Sequence, residues 1–390
     1  RSIVVAQRSE RFSTIYSVCF LSHGLPDGSK EQLLAAAYST GRIKLFRLKD
    51  AVSQWLSAQA PAQPCLAWTA HSAAVTSVIC VGTGTSALLL SCGDDGAIKA
   101  WRMSDLIAAT AAATARLAAQ SQQQAAASDQ RPGASTAPEI ESVVSAAGAA
   151  LQPAWQLAIP RAPASWFGAA AGAPGVTCAS LDESGRRLLV GATDGAMHVI
   201  DLVQAAASKG QGSGVVAQSW AAHLAGVMSV DQCSSSPHIA ASASEDGSVR
   251  VWDLRTAQCT TAFSPATGAV LPQAAAAQLA CAHTSPPVTT LKFESGGSWL
   301  VCGQGGNTPV VATWSLDAGT LAHKVSAPCV PQAMVVQPGE VLVAGTSSSL
   351  FRFSFTGQPI TNHDLGPPMR SVFCMSVMSA QDGVEAGGSK

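Results

Sequence analysis

Ser242-Ala-Ser-Glu-Asp-Gly-Ser-Val-Arg-Val-Trp-Asp-Leu-Arg255 is the stretch that decides how this chain folds. Glu245-Asp246-Gly247 supplies turn chemistry, because glycine tolerates positive φ and aspartate hydrogen-bonds its own backbone. Val249 and Val251 alternate with Ser248 and Arg250, the period of a half-buried strand. The unit is therefore a strand hairpin that ends on Trp252-Asp253. Weaker copies occur on both sides, so the first question is how often it repeats.

The second clear copy holds Thr69-Ala70-His71, a strand over Val75 to Val81, another over Leu88 to Cys92, the turn Asp94-Asp95-Gly96, and Ala97 to Trp101. His71 precedes Trp101 by 30 residues, and His223 precedes Trp252 by 29. The two units share one ruler, and the spacing predicts further units along the chain. One lies near 13–68, with Phe46 in the tryptophan's place. The others lie near 69–159, 175–220 with Ile200-Asp201, 221–263, 281–325 with Cys281-Ala282-His283 at its start, and a degenerate 330–362. A seventh begins at Met369 and stops at Lys390, with 1–7 available to complete it.

The expected fold is all-β, a seven-bladed WD40 β-propeller whose last blade is incomplete. An open ring exposes strand edges. The missing hairpin amounts to about 20 residues by the usual unit length of 40–45, so the expectation is a fragment or an incomplete gene model. Residues 104–150, rich in alanine, glutamine and serine, fall between the third and fourth strands of the second unit. They read as an Ala-rich helix capped by Ser104 that fades near Gln124. A mobile stretch through Arg131-Pro132-Gly133 follows it, decorating the propeller without dividing it.

Composition removes several classes of function. Apolar residues make up 47% and charged residues 12% of the 390, against a usual charged share of about 25%. With 23 basic against 24 acidic side chains, no bulk field draws in nucleic acid. The eleven cysteines lack metal or disulfide spacing, which predicts reduced core thiols and no cofactor. No apolar run has the length of a membrane span.

Two units carry His71, Ser91, Asp95 and Trp101, and His223, Ser242, Asp246 and Trp252. A His, Ser and Asp set invites a hydrolase reading. It occurs twice at repeat spacing with no nucleophile elbow, so a buried network that holds each blade together is the expectation. The glycine runs at 210–214 and 303–306 lack phosphate-loop spacing. The acidic pairs Asp94-Asp95, Asp182-Glu183 and Glu245-Asp246 sit in turns. Arg42, Lys44, Arg47 and Lys49 form the one basic cluster, read as a solvated strand face or a contact patch for phosphate or an acidic segment.

Leu89-Leu90-Ser91-Cys92-Gly93-Asp94-Asp95-Gly96-Ala97-Ile98-Lys99-Ala100-Trp101 and Ser244 through Ala257 resemble the subunit 6 family of the THO complex, as do Ser298 to Gly303 and Thr313 to Leu316. The resemblance implies a non-catalytic nuclear scaffold that binds other THO subunits and supports messenger RNA packaging and export, with RNA contact indirect. Trp252, Asp253 and Arg255 also resemble the WD-x-Arg box that docks WD proteins on a cullin-4 ligase adaptor, which implies an alternative role as a substrate receptor.

Overall fold

The computed structural model describes residues 13–24, 29–57, 62–127, 137–161, 173–211, 215–271, 285–365 and 371–377. Its strands form six antiparallel sheets, each built from consecutive strands. Blade one is β1 (Ile15–Gly24), β2 (Lys30–Tyr38), β3 (Arg42–Arg47) and, after helix α1 (Leu48–Ser57), β4 (Leu66–Thr69). Blade two is β5 (Val75–Val81), β6 (Leu88–Gly93), β7 (Ala97–Arg102) and β8 (Trp155–Ala158), with α2 (Met103–Ala127) and α3 (Ala137–Gly148) between the last two. Blade three is β9 (Val176–Leu181), β10 (Arg187–Ala192), β11 (Ala196–Asp201), α4 (Leu202–Ala207) and β12 (Val216–Ala221).

Blade four is β13 (Val227–Gln232), β14 (Ile239–Ser244), β15 (Val249–Asp253) and β16 (Gln258–Ser264), extended by a fifth strand, β17 (Ala269–Val270). Blade five is β18 (Val288–Phe293), β19 (Trp299–Gln304), β20 (Val310–Ser315) and β21 (Thr320–Ser326). Blade six is β22 (Pro331–Gln337), β23 (Glu340–Gly345), β24 (Ser349–Ser354) and β25 (Pro359–Asp364).

The expectation of seven blades is corrected to six. Residues 371–377, where the first strand of a seventh unit was expected, form no strand. A strand needs a ladder partner, and among the described residues every strand already belongs to one of the six sheets. The backbone N–H of Val372 is instead taken by the carbonyl of Gly345 in blade six. Residues 1–7 and 378–390, assigned to the same unit, lie outside the described residues, as do Cys281-Ala282-His283 and Arg131-Pro132-Gly133.

The turns between second and third strands follow from glycine. Gly41, Gly96, Gly195 and Gly247 have φ of 74 to 78°, a left-handed conformation that side-chain-bearing residues rarely hold. Hydroxyls on the innermost strands tie one blade to the next. Thr76, Thr177 and Thr289 each occupy the second position of an inner strand and donate to a carbonyl of the following blade: Val176 O at 2.9 Å, Val227 O and Pro331 O. Where threonine is missing, a serine one position later serves. Ser17 Oγ accepts from Val78 N at 3.1 Å, and Ser229 Oγ from Leu291 N at 3.3 Å. Asp231 adds Lys292 Nζ at 2.7 Å and Phe293 N at 2.9 Å across the joint between blades four and five.

The insertion is part of the core rather than decoration. Met103, Leu106, Ala113 and Val144, all buried, share one apolar cluster with Leu33, Ile43, Leu45 and Leu66 of blade one. The end of α3 lies so close to β4 that a Cβ on Gly148 would sit 2.0 Å from Ala67 O. Glycine is what permits that approach.

Candidate functional site

Strand alternation sorts every connection onto one of two faces of the disc. First-to-second and third-to-fourth connections share a face, and second-to-third turns and links to the next blade share the other. Helices α1, α2, α3 and α4 fill the third-to-fourth connections of blades one, two and three. In blades four, five and six the same connection is a short turn at 254–257, 316–319 and 355–358. Asp253 and Arg255 therefore lie on the helix-bearing face, at the first of the bare turns. His71, Asp95, His223 and Asp246 lie toward the opposite face.

Each polar set is brought together in the interior. In blade four His223 Nδ1 lies 3.0 Å from Asp246 Oδ2, His223 Nε2 lies 2.6 Å from Ser242 Oγ, and Trp252 Nε1 donates to Ser242 Oγ at 2.8 Å. Blade two repeats this with His71–Asp95 at 2.9 Å, His71–Ser91 at 2.8 Å and Trp101–Ser91 at 3.0 Å. Burial lowers the pKa of both imidazoles, only partly offset by the neighbouring carboxylates. Burial pushes the Asp246 carboxyl up, but His223 and the hydrogen bonds from Ser248 outweigh it and hold the group well below the usual range.

These partners set the protons. An ionised Asp246 only accepts, so His223 carries its proton on Nδ1, and Ser242 donates to Nε2 while accepting from Trp252. The serine hydroxyl is consumed at both ends and is fully buried, so a substrate carbonyl has no access to it.

Blades one, three and five lack the serine of this set. Opposite-strand positions equivalent to Ser242 and Trp252 are Ala36 and Phe46 in blade one, Val190 and Ile200 in blade three, and Cys302 and Trp314 in blade five. In blades one and three both the serine and the tryptophan are gone, which avoids an orphaned group there, whereas blade five keeps the tryptophan alone. Trp314 Nε1 has no partner, and its ring stacks on Phe263 at 3.9 Å.

The basic cluster meets the insertion. Lys44 Nζ lies 2.6 Å from Glu141 Oε1, and Arg42 Nη2 donates to Ser145 Oγ at 2.6 Å, both partners on α3. Arg47 pairs with Glu31 at 2.8 Å and reaches Thr114 of α2 at 3.1 Å. Lys49 is exposed on α1. Burial and then the charge of Glu141 push the Tyr38 phenol up to about 12.

Arg255 is clamped to Asp253, with Nε at 3.0 Å from Oδ1 and Nη2 at 2.7 Å from Oδ2. These bonds hold the Asp253 carboxyl at about 2. The arginine side chain remains 66% exposed. An open groove of about 860 Å³ runs between blades three and four, lined by Asp182, Arg186, Arg187, Gln204, Gln232 and Pro237. Asp182 is occupied by the backbone N–H groups of Arg186 and Arg187. Asp201, at the groove's edge, caps α4 through Val203 N and Gln204 N.

Thiol chemistry has no foothold at Cys92, Cys178 or Cys302, since burial pushes each up to about 12. Among the described residues no group of three His, Cys, Asp or Glu side chains is placed to hold a metal.

The inter-blade threonines and the Glu141–Ser145 cover escaped the motif reading. The first had a visible signal in the repeated Val-Thr at 75–76, 176–177 and 288–289. The second joins residues about a hundred positions apart and left no local trace.

A family model described as WD domain, G-beta repeat matches residues 62–102 and 214–253, the two units with complete polar networks. THO complex subunit 6 of Arabidopsis thaliana is 25% identical over 367 residues, which covers 92% of this chain and 83% of that protein. Among its described residues the chain is thus an all-β propeller of six blades, with WD repeats matched at 62–102 and 214–253, and it is similar over nearly its whole length to THO complex subunit 6.

Proposed function

We propose that this protein is a non-catalytic scaffold subunit of a THO-type nuclear complex, holding other subunits together during messenger RNA packaging and export. The observation that carries the proposal is the similarity to THO complex subunit 6 across 92% of the chain, which takes in the degenerate blades as well as the well-formed ones. Geometry supports it from a second direction, because the chemistry-bearing triads are buried and internally satisfied. Partners would meet the faces and loops, which the repeat leaves free to vary. RNA contact would be indirect, since Arg42, Lys44 and Arg47 of blade one engage the chain's own helices. The test is affinity purification of the full chain from nuclear extract with mass spectrometry of what co-purifies. THO subunits in stoichiometric yield are expected, and recovery of a ligase adaptor without any THO subunit would overturn the proposal.

A second reading, substrate receptor for a cullin-4 ligase, draws on the exposure of Arg255 at the disc's rim. Here Arg255→Ala is the discriminating change: adaptor binding should fall at least tenfold, and unchanged binding removes the basis of this reading.

A further inference from the structure

We propose that residues 371–377 are a clasp holding blade six to blade one, and that this joint is where the ring opens first. Every other joint in the chain is closed by an inner-strand side chain. Threonine hydroxyls span blades two to three, three to four and five to six, and serine hydroxyls span one to two and four to five. Each of those joints also packs inner strand against inner strand, whereas no strand pair of blades six and one packs comparably among the described residues.

At the sixth joint the corresponding inner-strand position holds Gln332, whose Oε1 is buried with no hydrogen-bond partner. On the far side, the same position of β1 holds Tyr16. The link is made by the non-strand segment instead. Val372 N–H donates to Gly345 O of blade six at 2.8 Å, and the Phe373 ring meets Tyr16 edge-on at 5.8 Å. One backbone hydrogen bond and one aromatic contact replace the latch and the strand packing found elsewhere. Residues 371–375 are half-buried and 376–377 exposed, so the segment is seated along its first part and free of the ring at its end.

Segments with few buried contacts open at lower free energy than the rest of a fold, and native-state amide exchange reads that difference directly. The experiment is hydrogen exchange with mass spectrometry on the full chain and on Phe373→Ala and Val372→Pro. In the unaltered protein, amides of β1 and β22 should exchange before those of β9 to β15. Either variant should accelerate β1 and β22 by about tenfold or more, leaving β9 to β15 unchanged. Thr177→Val, which removes a latch elsewhere, should instead accelerate β9 and β13. If the unaltered protein protects β1 and β22 as well as β9 to β15, the proposal is overturned whether or not the variants fold. Uniform acceleration in the variants would overturn it equally. None of these readouts depends on a partner, so failure here leaves the scaffold reading untouched.

Discussion

Ser242→Ala isolates the polar network of blade four. The hydroxyl accepts from Trp252 Nε1 at 2.8 Å and lies 2.6 Å from His223 Nε2, and all three side chains are buried. Alanine leaves two polar atoms without partners, and an unsatisfied buried donor or acceptor costs about 1–3 kcal/mol. The expected loss is therefore about 3 kcal/mol after modest relaxation. With an unfolding entropy of about 2.1 cal/mol/K per residue, that loss lowers Tm by roughly 4 °C in a chain of 390 residues. Differential scanning calorimetry measures this, with exposed Ser234→Ala as the control. Ser242→Thr, which keeps a hydroxyl, should recover much of the difference. A shift no larger than that of the control would refute the network reasoning and reopen a functional role for the serine.

Leu106→Ala tests whether the insertion belongs to the core: the side chain is fully buried against blade one, so the loss should be about 3 kcal/mol in urea unfolding, against near zero for a decorative helix. Glu141→Ala leaves Arg42 and Lys44 facing each other without their carboxylate, and limited proteolysis should cut within 137–148 several times faster than in the parent. His198 should contribute to acid sensitivity alongside His71 and His223, because burial lowers its pKa from 6.5 to about 4. The unfolded chain takes the proton first, so stability falls as pH drops below 6.5 and the loss levels off near 4. At about 1.4 kcal/mol per pH unit the loss is roughly 3 kcal/mol, and His198→Leu should flatten that slope in urea titrations at pH 7, 5.5 and 4.5.

Much of this was legible because the signals are local. The turn glycines, the alternation of Val249 and Val251, and the fixed distance from histidine to tryptophan all act within one blade. The members of the hydrogen-bonded sets at His71 and His223 recur at one fixed spacing in the sequence. Long-range partners could not. Whether a strand at 371–377 forms depends on ladder partners far away in sequence, and apolar alternation cannot supply them. The alanine-rich insertion misled for the opposite reason: its composition has few large side chains, yet Leu106 and Val144 fall where blade one leaves its outer strand uncovered. Arg255 pairs with a side chain two residues away while staying exposed.

Six similar wedges arranged in a ring present six nearly interchangeable seats to anything approaching along the axis. Helices on three consecutive wedges remove that degeneracy. Under the proposed scaffold role, a partner that touched α1, α2 or α4 would be oriented in rotation as well as in position, and the disc would act as a keyed hub. Register in an assembly built on it follows from which blades carry helices, without any change to the sheets beneath.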